Sequence, residues 1–319
     1  MDDRLLVSIA CPFYNESGMV EKFYSTLTAE LERLTDYQFE VICIDDGSKD
    51  NTLAELLENT QYDERFKVLE LSRNFGKEAA LSAGLDMVKG DLVITLDADL
   101  QDPLSLIEQL IVAWEESDAD VVLAKRRDRL SDSRTKRVTA SAYYRLHNTL
   151  STVKIPPDVG DCRLMTRQVV QALSSLPETQ RFMKGLFAWL GFKAITIEYV
   201  REPRYAGSTK FSWWRLWNLG IEGITSFSTL PLRIWTYVGF VGAVVTLLYG
   251  IFIVLRTLIS GNDVPGYTSL FTAILFFSSV QLIGLGIMGE YVGRMYMESK
   301  RRPTYLVRKF HHPAKDVTD

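Results

Sequence analysis

The apolar run LVITL leads straight into DADLQDP at residues 97–103. On an extended strand end, side chains two positions apart share a face, so Asp97 and Asp99 can turn into one cavity. Paired carboxylates are hard oxygen donors of the kind that hold Mg2+ or Mn2+, and Gln101, two positions further on, could add a third oxygen. A divalent ion held there can bridge the oxygens of a diphosphate and stabilise it as a leaving group. An Asp-x-Asp triplet alone is a weak signal, because turns and helix caps also use aspartate. Its company strengthens it: Asn15 and Glu16 follow the run VSIAC, Asp45 and Asp46 follow FEVICI, and Arg73 and Asn74 follow FKVLEL.

For these residues to meet, the runs that precede them must lie side by side. VSIAC, FEVICI, FKVLEL, DLVITLD and DVVLA, spread over residues 5–125, are almost continuously apolar, as strands covered on both faces by helices are. Longer amphipathic stretches separate them. The alternation predicts an α/β domain, a Rossmann-like and mostly parallel doubly wound sheet, in which ligands lie beyond the carboxyl ends of the strands. Ser48 or Asp50 is placed to cap the helix after the second strand. Residues 128–211 are more basic and are broken by Pro156, Pro157, Pro177 and Pro203, which suggests a substrate-shaping extension of the same domain.

The 319 residues carry a net charge of −4, so there is no global basic field and nucleic acid is excluded as the main partner. Cys11, Cys43 and Cys162 are odd in number and widely spaced, which reads as reduced thiols and a reducing compartment. His147, His311 and His312 lack metal-ligand spacing. The opening MDDRLLVSIAC has neither a basic leader nor a small-residue cleavage site, so no secretory signal is expected.

Residues 235–255 and 264–289 are free of charge, and each exceeds the roughly 20 residues that cross a bilayer. A buried helical hairpin is the soluble alternative. Arg233 precedes the first block, Lys300, Arg301 and Arg302 follow the second, and the SGNDVPG loop between them has no Lys or Arg, so both ends are expected on the cytoplasmic side. Glu290 can pair with Arg294 one turn on. Upstream, Trp213, Trp214 and Trp217 recur with Ile221 and Ile224 near helical spacing, which fits an interfacial helix or an amphipathic helix packed on the globular domain.

CPFYNE (11–16), IDDGSKDNT (44–52), LSRNFGKEAA (71–80) and DADLQDP resemble the inverting GT-A glycosyltransferases of family 2. With GDCRLM (160–165), RYAGSTKFS (204–212), PLRIWTY (231–237) and GEYVGR (289–294), the chain resembles the polyisoprenyl-phosphate glycosyltransferases, and among them the bactoprenol (undecaprenyl-phosphate) glucosyltransferases of O-antigen and lipopolysaccharide modification. The resemblance implies that Pro12, Tyr14 and Glu16 cradle the nucleotide base and that Asp46 contacts base or ribose. Lys77 would meet donor ribose or phosphate, although a solvated lysine at a helix start is the plainer alternative. Asp161 matches the acidic residue beside the acceptor. Arg137 with Ser141 matches an acceptor-phosphate set, and Arg204 and Lys210 match the last basic motif; Arg126, after the fifth strand, is a further candidate cation. For any one arginine of RRDRLSDSRTKR the plainer alternative is a solvated helix face. Cys162 stands where the family commonly has an aromatic, so packing there departs from the pattern.

The resemblance implies catalysis by Asp99 and Asp161, with Asp97, Asp99 and Gln101 at the metal. A lipid phosphate has a second pKa of roughly 6 and is already largely ionised at neutral pH, so Asp161 is expected to position and balance charge more than to abstract a proton. The expected product is a glycosyl-phosphoryl lipid with inverted configuration, made from UDP-glucose, GDP-mannose or a UDP-amino-sugar, with glucose favoured by overall likeness. A non-catalytic scaffold would have no need of the acidic and basic sets, and a processive synthase would carry more spans. The implied organisation is a cytoplasmic catalytic domain over 1–212, an interfacial helix over 213–231, a transmembrane hairpin over 232–292 and a cytoplasmic tail over 293–319. A bacterial inner-membrane location, a homo-oligomer, and a separate flippase and downstream transferase complete the picture the resemblance implies.

Overall fold

The computed structural model describes residues 4–61, 63–127, 159–179, 181–200, 230–260 and 266–313. The five apolar runs form strands: β1 (Leu6–Phe13), β2 (Gln38–Asp45), β3 (Phe66–Leu71), β4 (Leu92–Thr95) and β5 (Val121–Arg126). Between them lie α1 (Val20–Arg33), α2 (Thr52–Thr60), α3 (Lys77–Met87) and α4 (Leu106–Glu115). There follow β6 (Val159–Thr166), α5 (Arg167–Ser174), α6 (Met183–Leu190), β7 (Ala194–Tyr199), α7 (Leu230–Ser260), α8 (Tyr267–Ser299) and β8 (Val307–His311).

Helices cover both faces of the sheet, and the sequence shows how. α1 buries Val20, Phe23, Leu27 and Leu31, a stripe at three- and four-residue intervals, against one face. α3 buries Ala79, Ala80, Leu81 and Ala83 against the other, where short side chains let its axis lie close to the strands. Both faces of β1 are therefore dry: Val7, Ile9 and Cys11 belong to one core and Ala10 to the other. Each fully buried Val, Ile or Phe contributes about 1.5–3 kcal/mol, so the strands are held chiefly by these two layers.

The strand order is β7-β5-β6-β4-β1-β2-β3-β8. The centre is parallel, as expected, from β4 through β1 and β2 to β3. The sheet as a whole is mixed, because β6, which carries GDCRLM, enters antiparallel between β4 and β5. Its register sets Thr95 opposite Arg163. Two residues further along each strand, Asp97 faces Asp161, and the Thr95 hydroxyl donates to the Asp161 carbonyl at 2.6 Å.

The C-terminal segment, expected as a tail over 293–319, carries regular structure among its described residues. α8 continues to Ser299, and β8 adds to the sheet antiparallel to β3. Arg308 and His311 each lie 3.1 Å from the Glu70 carboxylate, and the Tyr305 hydroxyl donates to Asp86 at 2.7 Å. The strand covers an edge that would otherwise present unpaired backbone groups and ties the end of α8 to the α/β domain.

α8 contains a segment, Ser269–Ser299, long and apolar enough to cross a membrane, and α7 contains a shorter apolar stretch, Tyr237–Phe252. Both present large exposed apolar side chains, among them Phe240, Leu248, Phe276 and Leu282. Arg294 pairs with Glu290 at 2.9 Å, as its spacing implied. The expected interfacial helix (213–231) and the loop at 261–265 fall largely or wholly outside the described residues. Where the two helices meet, the Trp235 indole lies over Gly284, and a Cβ there would stand 1.6 Å from the Trp235 Nε1. Gly284→Ala should therefore lower the thermal stability of the detergent-solubilised chain by about 1–3 kcal/mol. Gly286→Ala, whose Cβ meets nothing within 4 Å, should leave it unchanged, and equal melting of both variants would remove Trp235 as the packing partner.

Candidate active site

The carboxyl ends of β1, β2, β3 and β4 open on one side of the sheet, and their loops are laced together. Asn15 takes a left-handed backbone (φ 53°), which a short amide side chain tolerates. Its N–H donates to the Ser48 hydroxyl at 3.1 Å, and its side-chain oxygen accepts from the Lys49 N–H at 2.8 Å. The Glu16 N–H donates to Thr52 at 2.9 Å. Pro12, next to last in β1, is half-buried and Tyr14, just after the strand, is exposed, so the segment expected to cradle a base borders the loop after β2. The N-cap of α2 is Asn51, without a side-chain cap hydrogen bond, so neither Ser48 nor Asp50 takes that position; Asp50, one residue earlier, accepts from the Thr52 N–H at 3.1 Å, and Asp45 accepts from the Ser48 N–H.

The next loop is held more tightly still. Gly47 (φ 64°) touches the loop after β3, where a Cβ would come within 2.4 Å of the Arg73 carbonyl carbon. Asp46, expected to meet base or ribose, is buried and accepts from the Phe75 N–H (2.7 Å), the Gly76 N–H (2.9 Å) and the Asn74 amide (3.0 Å). Its side chain thus fixes residues 74–76, and residue 77 follows at once as the first of α3.

Lys77 is the hub. Its ammonium lies 2.7 Å from Asp97 and 2.5 Å from Asp161, joining the end of β4 to β6. Lys184 of α6 reaches the other oxygen of Asp161 at 3.3 Å. Burial acts against ionised Asp161, but Lys77, then Lys184 and Arg163, override it and hold the carboxyl well below the usual range. Asp97 moves the opposite way: burial raises it, Lys77 offsets part of that, and the charges of Asp161 and Asp99 raise it again. Lys77 is held above its ordinary range by the two carboxylates despite burial.

Asp99 accepts from the Gln101 amide N–H at 2.7 Å, so Gln101 turns its nitrogen to Asp99 and acts as an orienting group. Among the described residues no three His, Cys, Asp or Glu side chains form a ready metal cage. The donor set is two hard carboxylates two residues apart in one loop, which suits a Mg2+ or Mn2+ that takes its remaining ligands from substrate phosphate and water. Arg126 stands apart from Lys77 at the end of β5. Its Nε donates to the Tyr199 hydroxyl (3.4 Å), which donates to Asp102 at 2.5 Å, so the last part of DADLQDP is tied to β5 and β7. Arg137, Ser141, Arg204 and Lys210 lie outside the described residues.

Sequence reasoning missed three contributors. Arg163 is buried with its guanidinium 3.9 Å over the Phe187 ring; the alternation that puts 161 and 163 on one face of a strand was the available signal. Lys184 is a lone cation in an apolar run. Glu78, beside Lys77, accepts from the Met183 N–H at 3.3 Å and anchors the start of α6.

The fold and this cluster at the strand ends define a glycosyltransferase of family 2, to which the chain belongs: the model of glycosyl transferase family 2 matches residues 8–174, and that of the GtrB C-terminal hairpin matches residues 230–295. The chain is 50% identical over 305 residues to the SfII prophage-derived bactoprenol glucosyl transferase of Shigella flexneri, covering 96% of this chain and 98% of that one. It is also 50% identical to the prophage bactoprenol glucosyl transferase homolog of Escherichia coli (strain K12), covering 95% and 98%. The structure of glucosyl-3-phosphoglycerate synthase from Mycobacterium tuberculosis in complex with Mn2+, UDP and phosphoglyceric acid has a TM-score of 0.50 at 19% identity, covering 69% of this chain and 76% of that one, a likeness of fold.

Burial, with the charge of Asp161 added to it, pushes Glu78 up from 4.5 to about 7. Between these values the folded chain keeps a proton that the unfolded chain has released, so this group makes stability fall as pH rises through the window. Glu78→Gln should flatten that fall, measured as the denaturation midpoint in detergent at about pH 5 and about pH 7.5. An equal fall in both proteins would exclude Glu78 as its source.

Proposed function

We propose that this chain transfers glucose from UDP-glucose to undecaprenyl phosphate, with a divalent metal and with inversion at the anomeric carbon. The observation that carries this reading is identity of 50% across 96% of the chain, catalytic domain and hairpin together, to a bactoprenol glucosyl transferase. Asp97 and Asp99 would hold Mg2+ or Mn2+, with Gln101 orienting Asp99. When bound, such an ion neutralises charge growing on a diphosphate leaving group. Pro12, Tyr14 and Glu16 receive the base, Asp46 holds the loop that presents Lys77, and Lys77 faces the donor side. Arg126, together with Arg137, Ser141, Arg204 and Lys210, offsets the repulsion between an anionic acceptor and an anionic donor.

In this reading a phosphate oxygen of the acceptor forms the bond to the anomeric carbon while the bond from that carbon to the diphosphate breaks, its electron pair leaving on the diphosphate. The acceptor's second pKa is roughly 6, so no side chain need remove a proton. Asp161, kept ionised by its lysines, positions and balances charge. α7 and α8 are read as two spans of the bacterial inner membrane, with the α/β domain (1–212 plus β8), the interfacial segment 213–231 and both termini on the cytoplasmic side. A homo-oligomer, and a flippase and later transferase that handle the product, complete the reading.

The test is transfer of radiolabelled glucose from UDP-glucose to undecaprenyl phosphate in detergent. Labelled lipid should form with Mg2+, disappear with EDTA and fall by about 10²–10³-fold in Asp99→Ala, the scale of losing one preorganised electrostatic contact in the transition state. Product from GDP-mannose or a UDP-amino-sugar alone would replace the donor, and no product from any donor would overturn the reading.

A further inference from the structure

Asp161 is gripped from two sides, and the two lysines that grip it are not equivalent. Lys77 meets Asp161 Oδ2 and also Asp97, so it belongs to the donor half of the cavity, where the diphosphate must lie. Lys184 meets Asp161 Oδ1 at 3.3 Å and the Val159 carbonyl at 3.4 Å, both on β6. Its side chain stays 31% exposed, so the ammonium can exchange one partner for another without leaving a buried charge behind.

Lys184 is also held in place to an extent that a solvated lysine is not. α6 is fastened at its first N–H by Glu78, seated through Met183 and Leu186 in the core beside α3, and clamped by the Arg163 guanidinium stacked on Phe187. Three cations, Lys77, Lys184 and Arg163, act on the single carboxylate of Asp161. Lys77 is shared with Asp97, whereas Lys184 pairs with Asp161 and a backbone carbonyl, so an arriving phosphate oxygen can take Lys184 while Lys77 still pairs both Asp97 and Asp161.

We propose that Lys184 grips the phosphate of the acceptor, as the acceptor-side counterpart of Lys77, with Asp161 held between the two phosphate groups as a spacer. The inference rests on the reading of the chain as a transferase to a lipid phosphate and adds to it a residue and a place. Lys184 is a binding residue, since the phosphate oxygen is already the nucleophile.

The experiment compares wild type, Lys184→Met and Lys184→Arg with two acceptors, undecaprenyl phosphate and a short water-soluble prenyl phosphate. Lys184→Met should raise the KM for both acceptors by about ten- to a hundredfold, the worth of one hydrogen bond to a charged group, with the KM for UDP-glucose within about twofold. Lys184→Arg should restore most of the acceptor KM. A KM raised only for the long lipid would make Lys184 a membrane contact and overturn the proposal, as would equal changes in donor and acceptor KM or no change at all. Failure of wild type with both acceptors would instead overturn the underlying function, so the two failures are distinct. Thermal melting of Lys184→Met within about 2 °C of wild type separates lost binding from lost folding, and a variant that melts early is replaced by Lys184→Gln.

Discussion

The cluster depends on one ammonium group standing between two carboxylates that come from different strands. Asp97 and Asp161, both only partly shielded from solvent, would repel each other where β4 and β6 meet. Lys77 makes the pair tenable, and much around it exists to put that lysine there. Asp46 is buried to hold residues 74–76, Gly47 lets the second and third loops touch, and α3 begins at residue 77 with its small-residue face laid on the sheet.

The same economy governs the connection to the hairpin. After α8 the chain returns as β8 on the edge of the sheet beyond β3. Since β8 pairs with β3, and the loop after β3 carries residues 73–76, the return strand is one neighbour away from the loop that presents Lys77. Glu70 sits at this junction, with Arg308 and His311 on one side and the end of β3 on the other. β8 thus fastens the C-terminal end of α8 to the sheet.

The sequence made the centre of the sheet legible because runs buried on both faces need apolar residues at every position, and the polar residues that follow them mark the strand ends. β6 was harder. GDCRLM mixes Asp161 and Arg163 into a strand whose polar side chains face the site, so its composition resembles a loop. β8, VRKFH, is an edge strand with exposed charges, which is what protects an edge and also what hides it. Asp97, Asp99 and Asp161 could be named from type, spacing and resemblance. Lys184 and Glu78 could not, because their meaning comes only from α6 lying beside α3, a tertiary contact with no local signature.

The electrostatics of Asp161 also bear on what kind of acceptor the cavity suits. A transferase that activates a sugar hydroxyl needs a base whose pKa lies near the working pH, since a stronger acid holds too little driving force for proton transfer. Asp161 has been pushed the other way, by Lys77 above all, and is a poorer base than a free aspartate. That arrangement would hinder attack by a neutral hydroxyl. It costs nothing when the nucleophile is a phosphate oxygen that arrives ionised, and the lysines that depress Asp161 then serve the incoming anion directly. In the proposed reaction the acceptor brings its negative charge with it, so a weakened base at Asp161 is no handicap.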